Sequence, residues 1–352
     1  MQAVWWLGEK SDLSFKDKMK IPEVLKENDV KIKVAYSGVC GSDFHIMKGE
    51  MGKFSGKQDG VILGHEFSGT VVSVGDAVKE LKMGDLVCVN PNECCGACQW
   101  GRESNPHFCE SNLCVGISMN GGWAEYCIAP IEKVYKLPDN VSLMQGALAE
   151  PYSCVLRGWR QLGDLPEKDA RILVQGAGII GCLFCTLLHH HGSTNVTVAE
   201  INEERRKLCA DMRLGFDVVH PQEIDLKFKG KDTDYHGYYV VIDCTGNTKA
   251  VEKAFTLCRR GATICIFGCC PTGETMAVEP FQIYWKELKI VSCFTNPKCF
   301  EGALELLKVL ADKGYLVYEK LGIKMFDLKQ YENAFGSLKA GTASKAVFKV
   351  DG

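Results

Sequence analysis

Side chains that could bind a metal ion occur in three separate segments of the first half of the chain. Cys40 begins the segment CGSDFH, His65 and Glu66 stand side by side between two apolar runs, and Glu150 lies in LAEPYSC. A thiolate, an imidazole and a carboxylate suit Zn²⁺, and three protein ligands with one open position are typical of a catalytic zinc site. Each residue taken singly is more often structural, and His65 with Glu66 could be a pair satisfied locally in a β-rich domain. Together they predict a metal site.

A glycine motif, Gly176-x-Gly178-x-x-Gly181, follows the strand-like segment RILVQ and precedes the apolar segment CLFCTLLHHH. In this context the glycines allow a tight turn, close approach of the backbone to a pyrophosphate and close packing of helix on strand. Glu200, about 20 residues further on, ends the next predicted strand and can accept hydrogen bonds from an adenosine ribose. The motif therefore predicts a dinucleotide site.

The predicted coenzyme is NAD, because a carboxylate at Glu200 would repel the 2′-phosphate of NADP. Arg205 and Arg206 leave a second interpretation open, since they could neutralise that phosphate rather than form a solvated helix face. The predicted cofactor-binding residues are Gly176, Gly178, Ile179, Ile180, Gly181, Glu200, Arg205 and Thr245.

The elements that must position these residues change character along the chain. The first third consists of short apolar runs separated by glycine and proline, which is typical of strands. From Ala170 onward, continuous apolar strands alternate with amphipathic helices, which predicts an α/β fold with a parallel sheet covered on both faces. A chain of 352 residues usually divides into two domains. We expect a catalytic domain over 1–151 and 294–352 and a dinucleotide-binding domain over 152–293.

Composition and charge exclude several classes of protein. The net charge of −3, from 41 basic and 44 acidic residues, gives no reason to expect nucleic acid or an anionic membrane as a partner. No run of about 18 apolar residues is present, so no membrane span is expected. The N-terminal segment does not read as a secretory signal. The 19 cysteines are spread along the chain, which favours free thiols and metal binding in a reducing, cytoplasmic compartment over a disulfide framework.

Several motifs in a fixed order resemble a known family. The segments YSGVCGSDFH, GHEFSGTVVSVGDAV, GGWAEY, EPYSC, VQGAGIIG and KAVFKV resemble those of the medium-chain zinc-dependent alcohol and polyol dehydrogenases, over nearly the whole chain. The glutamate at position 150 is similar to the sorbitol and arabinitol dehydrogenase branch. The resemblance implies a Rossmann-type doubly wound parallel sheet and a β-rich GroES-like catalytic domain. It also implies an oxidoreductase that transfers a hydride between a polyol or secondary alcohol and NAD.

The resemblance also implies roles for individual residues. The implied catalytic residues are Cys40, Ser42, His45, His65, Glu66 and Glu150. Cys40, His65 and Glu150 would ligate the catalytic zinc, with Glu66 beside them or as an alternating fourth ligand. Ser42 and His45 would carry the alcohol proton to solvent, although a turn-forming serine and a surface histidine are the plainer interpretations. Asp43 would support the zinc-binding histidine.

The segment NPNECCGACQWGRESNPHFC departs from the family pattern. In relatives this segment holds a second, structural zinc with four cysteines, at positions that correspond to Cys95, Cys98, residue 101 and Cys109. Residue 101 is glycine and offers no ligand. Cys94 is a possible replacement, with Cys114 and Glu93 as weaker candidates. A structural zinc and a lobe held by packing alone therefore both remain open.

The substrate is less well defined by the sequence. Thr295 stands beside Phe294, where sorbitol enzymes usually carry an arginine, and Ile46 with Met47 suggests an apolar wall near the metal. Trp123 is either part of this substrate pocket or part of the core. The alternatives to an NAD-dependent enzyme are an NADPH-preferring ketone or ketose reductase and a non-catalytic dinucleotide-binding relative. By resemblance we expect a homodimer or homotetramer.

Overall fold

The structure is a computed structural model. It describes residues 1–8, 11–23, 26–50, 60–92, 94, 96–103, 105–109, 111, 113–164 and 167–350. The strands are β1 (Ala3–Trp6), β2 (Leu13–Lys16), β3 (Asp29–Gly38), β4 (Val61–Ile62), β5 (Phe67–Val74), β6 (Leu86–Val89), β7 (Tyr126–Pro130), β8 (Val134–Lys136), β9 (Ile172–Gln175), β10 (Val196–Ala199), β11 (Asp217–Val219), β12 (Tyr238–Asp243), β13 (Cys258–Ile266), β14 (Lys289–Ser292), β15 (Ile323–Phe326) and β16 (Lys345–Lys349). The helices are α1 (Gly41–Met47), α2 (Gln99–Arg102), α3 (Leu143–Gly146), α4 (Ala149–Leu162), α5 (Ile179–His190), α6 (Glu203–Asp211), α7 (Pro221–Phe228), α8 (Thr233–His236), α9 (Thr248–Leu257), α10 (Pro280–Lys286), α11 (Phe300–Asp312) and α12 (Tyr331–Lys339).

Six strands form a parallel sheet in the order β11-β10-β9-β12-β13-β14. Two of its interior strands, β9 and β10, are buried along their whole length, as their continuous apolar sequences require when helices cover both faces. The strand order reverses between β9 and β12, and open sheets of this kind bind ligands at the carboxyl ends of the strands beside such a reversal. The α/β fold with a doubly wound parallel sheet is confirmed.

A second sheet is mostly antiparallel and has the order β15-β16-β3-β5-β6-β8, with β7 also paired with β3. The long strand β3 alternates buried and half-buried residues through most of its length, as expected of a strand with one face on the core. The late strands β15 and β16 join this sheet beside β3, so the C-terminal segment packs with the N-terminal one. A small sheet, β2-β1-β4, completes the β-rich part.

The predicted domain boundary at 151/152 falls in the first turn of α4, and the boundary at 293/294 falls just after β14. The two boundaries stay a prediction. Of the helices in the described part of the chain, none has both the length and the hydrophobicity needed to cross a lipid bilayer.

Candidate metal and cofactor site

The metal-binding candidates are brought together by turns at the ends of strands. Cys40 follows β3 and caps the N-terminus of α1, while His65 and Glu66 lie in the turn before β5. Gly64 makes this turn possible, because its φ of 96° suits glycine and a Cβ there would collide with the Trp123 ring. One ligand atom from each of Cys40, His65 and Glu66 lies within 4.8 Å of the others. The folded chain thus gathers a sulfur, a nitrogen and a carboxylate oxygen that are far apart in sequence.

Asp43 lies behind the His65 ring. The Asp43 carboxylate is fully buried, accepts a hydrogen bond from the Cys40 backbone N–H at 2.8 Å, and places Oδ1 3.4 Å from His65 Nδ1. Burial alone would lower the pKa of His65, but the Asp43 carboxylate and Cys40 raise that pKa well above its usual value. A carboxylate behind one ring nitrogen leaves the other nitrogen, Nε2, to face a metal ion. Asp43 therefore lies where its expected supporting role requires.

Glu150 lies in the first turn of α4 and lines the same cleft as Cys40, His65 and Glu66. It is not part of the set whose ligand atoms all lie within 4.8 Å. Burial raises the pKa of Glu150 to about 7, with His65 acting against the shift and Glu66 adding to it. A buried carboxylate beside another carboxylate is costly to ionise without a cation. The donor set fits a divalent metal ion, which would supply that missing positive charge.

Two neighbours contact these carboxylates. The Cys154 thiol, one helical turn after Glu150, donates a hydrogen bond to Glu150 Oε1 at 3.3 Å. Burial raises the pKa of Cys154 well above its usual value, and Glu150 and Cys293 add to the shift. Glu66 Oε2 forms an ion pair with Lys345 Nζ, and both side chains are at most 2% exposed. Sequence inspection singled out neither Cys154 nor Lys345.

Ser42 and His45 lie on α1 and line the cleft. Ser42 Oγ is 3.4 Å from His65 Nε2, so it stands beside the candidate metal position. His45 Nδ1 lies 2.6 Å from Glu50 Oε2, and its side chain is 21% exposed. The two residues span the distance from the buried site to solvent along a single short helix.

The predicted dinucleotide loop connects β9 to α5. Gly176 has a φ of 96°, and Gly178 caps the N-terminus of α5. A Cβ at Gly181 would overlap the Gly176 carbonyl oxygen, whereas a Cβ at Gly178 would meet no described atom within 4 Å. The first and last glycines are thus required by the fold, and Gly178 leaves space in front of the helix N-terminus, where a pyrophosphate is stabilised.

The remaining cofactor candidates lie around this loop. Thr245 follows β12 and donates its hydroxyl hydrogen to the buried Asp243 at 2.5 Å. Ile180 lines the cleft, and Ile179 begins α5. The Glu200 carboxylate accepts hydrogen bonds from the backbone N–H groups of Ala177 and Asn202, both at 2.8 Å. Glu200 is therefore fixed against the glycine loop at the end of β10.

The two arginines after Glu200 point in different directions. Arg205 donates a hydrogen bond to the Leu338 carbonyl of α12 at 3.5 Å. Arg206 donates hydrogen bonds to the carbonyl groups of Glu200 and Ile201, both at 2.8 Å. The Arg206 guanidinium is thus held at the end of β10, beside Glu200, whereas that of Arg205 is directed toward α12. The predicted cofactor role of Arg205 stays a prediction.

The cleft between the metal candidates and the sheet edge has a volume of about 390 Å³. Ile46, Phe294 and Thr295 line it, as the sequence predicts. Of the two interpretations left open for Trp123, the structure supports the core residue. Its ring is fully buried, packs edge-on against Phe335 and Phe348, and donates Nε1–H to the Gly38 carbonyl at 3.0 Å. Trp123 supports the turn of the metal site from the core.

The cysteine lobe brings together Cys94, Cys98 and Cys109, whose sulfur atoms all lie within 4.8 Å of one another. Cys95 and Glu93 lie outside the described residues. A Cβ at Gly101 would lie 3.0 Å from the Cys94 sulfur, so position 101 borders this cluster. Cys94, which the family pattern does not require, therefore lies in the described cluster with two of the predicted ligands.

Comparison with known proteins agrees with the fold and identifies a family. Residues 26–139 match the alcohol dehydrogenase GroES-like domain, and residues 180–309 match the zinc-binding dehydrogenase domain. The chain is 30% identical to the D-arabitol-phosphate dehydrogenase of Enterococcus avium, over 94% of this chain and 92% of that protein. It is 28% identical to D-arabinitol dehydrogenase 1 of Uromyces fabae, over 93% of this chain and 91% of that protein. A solved structure from Sinorhizobium meliloti 1021, described as a zinc-binding dehydrogenase bound to NADP, superposes with a TM-score of 0.87, 28% identity and 99% coverage of both chains.

The chain belongs to the medium-chain zinc-dependent dehydrogenase family. The predictions of a zinc-dependent alcohol or polyol oxidoreductase and of a GroES-like domain beside a doubly wound parallel sheet are confirmed. The predicted preference for NAD is a finer question, because the Sinorhizobium meliloti structure contains NADP.

Proposed function

We propose that this chain oxidises a polyol or secondary alcohol with NAD, at a zinc ion held by Cys40, His65 and Glu150 with Glu66 beside them. The observation that carries the proposal is the gathering of Cys40, His65 and Glu66 within 4.8 Å, on a cleft that the carboxyl edge of the parallel sheet also lines. When bound, zinc would lower the pKa of an alcohol hydroxyl, and the nicotinamide would accept a hydride.

Residues of α1 would remove the alcohol proton. The Ser42 hydroxyl is close enough to His65 Nε2 to contact an oxygen bound beside it, and it can accept and donate a proton in turn. His45 lies on the same helix, lines the cleft and is partly exposed, so it can release a proton to solvent. Glu50, 2.6 Å from His45 Nδ1, would stabilise the protonated imidazole during that transfer.

The coenzyme proposal rests on Glu200. Two backbone N–H groups hold its carboxylate against the glycine loop, where ribose hydroxyl groups would donate to it and a 2′-phosphate would be repelled. An NADPH-preferring reductase is the second candidate, because Arg206 is fixed at the end of the same strand. Replacing Glu200 with alanine should lower kcat/KM for NAD more than for NADP. If NADP is the natural coenzyme and Arg206 binds its 2′-phosphate, replacing Arg206 with alanine should instead lower kcat/KM for NADP more than for NAD.

Assembly and location remain further proposals. We propose a homo-oligomer in which β14 pairs with a second copy, because β14 is an edge strand with an exposed Ile290 side chain. Light scattering on purified protein tests this, and a monomer would contradict it. The cytoplasmic location stays a prediction.

The activity is tested by incubating zinc-loaded protein with NAD, and separately with NADP, and a panel of polyols, vicinal diols and secondary alcohols while the absorbance of the reduced coenzyme is recorded. Cys40→Ala and His65→Ala serve as controls that remove the metal donors. Turnover that is lost in both variants and after chelation supports the proposal. Failure of the zinc-loaded protein to reduce either coenzyme with any member of the panel would contradict it and favour a non-catalytic dinucleotide-binding protein.

A further inference from the structure

Cys154 lies one turn after Glu150 on α4, so the two side chains share a face of the helix. Its thiol donates a hydrogen bond to Glu150 Oε1 at 3.3 Å, and both residues line the cleft. We propose that Cys154 is a positioning residue for the metal: its S–H group holds one oxygen of Glu150 and leaves the other oxygen, Oε2, to the ion. This inference rests on the proposed function, in which Glu150 is a metal ligand.

The surroundings of Glu150 give Cys154 this role. The backbone carbonyl of Glu150 is already held by the Ser153 hydroxyl at 2.5 Å, which fixes the main chain but not the carboxylate. Among the described residues, Cys154 is the recorded hydrogen-bond donor to the Glu150 carboxylate. Without a donor on one oxygen, a carboxylate can rotate and can bind a metal through either or both oxygens. Hydrogen bonds behind the ligands orient them, and their loss typically lowers metal affinity or activity about 10–100-fold.

A direct ligand role for Cys154 is the competing explanation. Neither the Cys154 sulfur nor an oxygen of Glu150 belongs to the described set of ligand atoms that lie within 4.8 Å of one another, so this set does not separate the two roles. The hydrogen bond from the Cys154 thiol to Glu150 Oε1 assigns Cys154 to the orientation of the carboxylate. The cobalt spectra described below test a direct ligand role.

Two substitutions separate the hydrogen bond from the volume of the side chain. Cys154→Ser keeps a donor, whereas Cys154→Val keeps an apolar side chain of similar size and removes the donor. Cys154→Ala also removes the donor and takes the place of the valine variant if valine prevents folding. Cys258→Ala is the control for loss of a thiol elsewhere, because Cys258 is a buried cysteine on β13, away from the cleft.

The first measurement is zinc affinity by competition with a chelating dye. We expect about a 10–100-fold weaker affinity in Cys154→Val, recovery toward the wild-type value in Cys154→Ser and no change in Cys258→Ala. Equal affinities in the wild type and Cys154→Val would overturn the inference.

The second measurement is the absorption spectrum of the cobalt-loaded protein. The spectrum of cobalt-loaded Cys40→Ala is subtracted from it, so that the absorption of any cobalt bound in the cysteine lobe cancels. The ligand-field bands should shift in Cys154→Val and return in Cys154→Ser, because they report the geometry of the ligands. The thiolate-to-cobalt charge-transfer band should keep its intensity in both variants. A weaker charge-transfer band in both would show that Cys154 is itself a ligand and would overturn the positioning role. If the wild type shows no difference from Cys40→Ala, the proposed metal site fails, and with it this inference.

Discussion

The buried ion pair between Glu66 and Lys345 provides the sharpest test of the site's energetics. Lys345 begins β16, is 1% exposed and pairs with a carboxylate that is 2% exposed. Burial lowers the pKa of Lys345, but the charges of Glu66 and Cys40 outweigh it and raise that pKa above its usual value. The lysine therefore stays charged at neutral pH, and the stability that this charge contributes is lost only as the pH rises through that raised pKa.

The perturbation is Lys345→Met, which keeps a long unbranched side chain and removes the charge. Breaking a buried pair leaves the partner charge without compensation and costs about 3–5 kcal/mol. Removing both charges, in Lys345→Met with Glu66→Gln, should cost less than Lys345→Met alone. Lys136→Met is the exposed control: Lys136 pairs with Asp85 at 2.9 Å but is 55% exposed, and such pairs contribute about 0–1 kcal/mol.

The assay is urea unfolding followed by circular dichroism, for the wild type, both single variants of the pair, the double variant and the control. It is run on metal-free protein, so that a bound ion does not contribute to the difference. A Lys345→Met variant within about 1 kcal/mol of the wild type, the range of an exposed pair, would contradict the expected cost of breaking this buried pair. A double variant whose loss equals the sum of the two single losses would contradict it equally, since the residues would then be uncoupled.

Three further predictions concern the other parts of the site. Gly178→Ala should fold normally but raise the KM for the dinucleotide, whereas Gly181→Ala should also lower the melting temperature because its Cβ overlaps Gly176. Steady-state kinetics and thermal unfolding measure the two effects. An unchanged KM in Gly178→Ala would contradict the prediction. In metal-free protein, the raised Glu150 pKa of about 7 means that the folded state binds a proton more tightly than the unfolded state, so stability should fall as the pH rises from about 4.5 to 7. Glu150→Gln should abolish this part of the pH dependence, as measured by the melting temperature against pH. A pH profile that is the same in the wild type and Glu150→Gln would contradict the raised pKa of Glu150. If Cys94, Cys98 and Cys109 hold a metal, elemental analysis should give two zinc ions per chain in the wild type and one in Cys98→Ser. One zinc ion per chain in both the wild type and Cys98→Ser would show that the cysteine lobe binds no metal.

Much of the site could be predicted from the sequence because its motifs are local. The segment CGSDFH places Cys40, Ser42 and His45 within two helical turns, and the glycine motif lies in one strand–turn–helix unit. In both cases the spacing itself determines which side chains share a surface. The alternation of apolar strands with helices was sufficient for the parallel sheet.

The contacts that sequence inspection missed depend on tertiary packing. Lys345 pairs with Glu66 only because β16 lies beside β3, and nothing near either residue indicates this. Trp123 reads equally well as a pocket residue or a core residue, and only its complete burial decides between them. Cys154 could have been found, because a residue four positions after Glu150 on a helix must face the same side.

Lys345 is also translated long after its partner Glu66. Every strand of the parallel sheet is translated after Glu66 and before Lys345, so the ribosome makes most of the chain while this carboxylate lacks its counter-charge. Because domains tend to fold as they emerge, the nucleotide-binding half has the opportunity to fold before the metal-binding half is complete. A zinc ion that reached Cys40, His65 and Glu150 before that point would therefore meet a pocket in which Glu66 is not yet paired with Lys345.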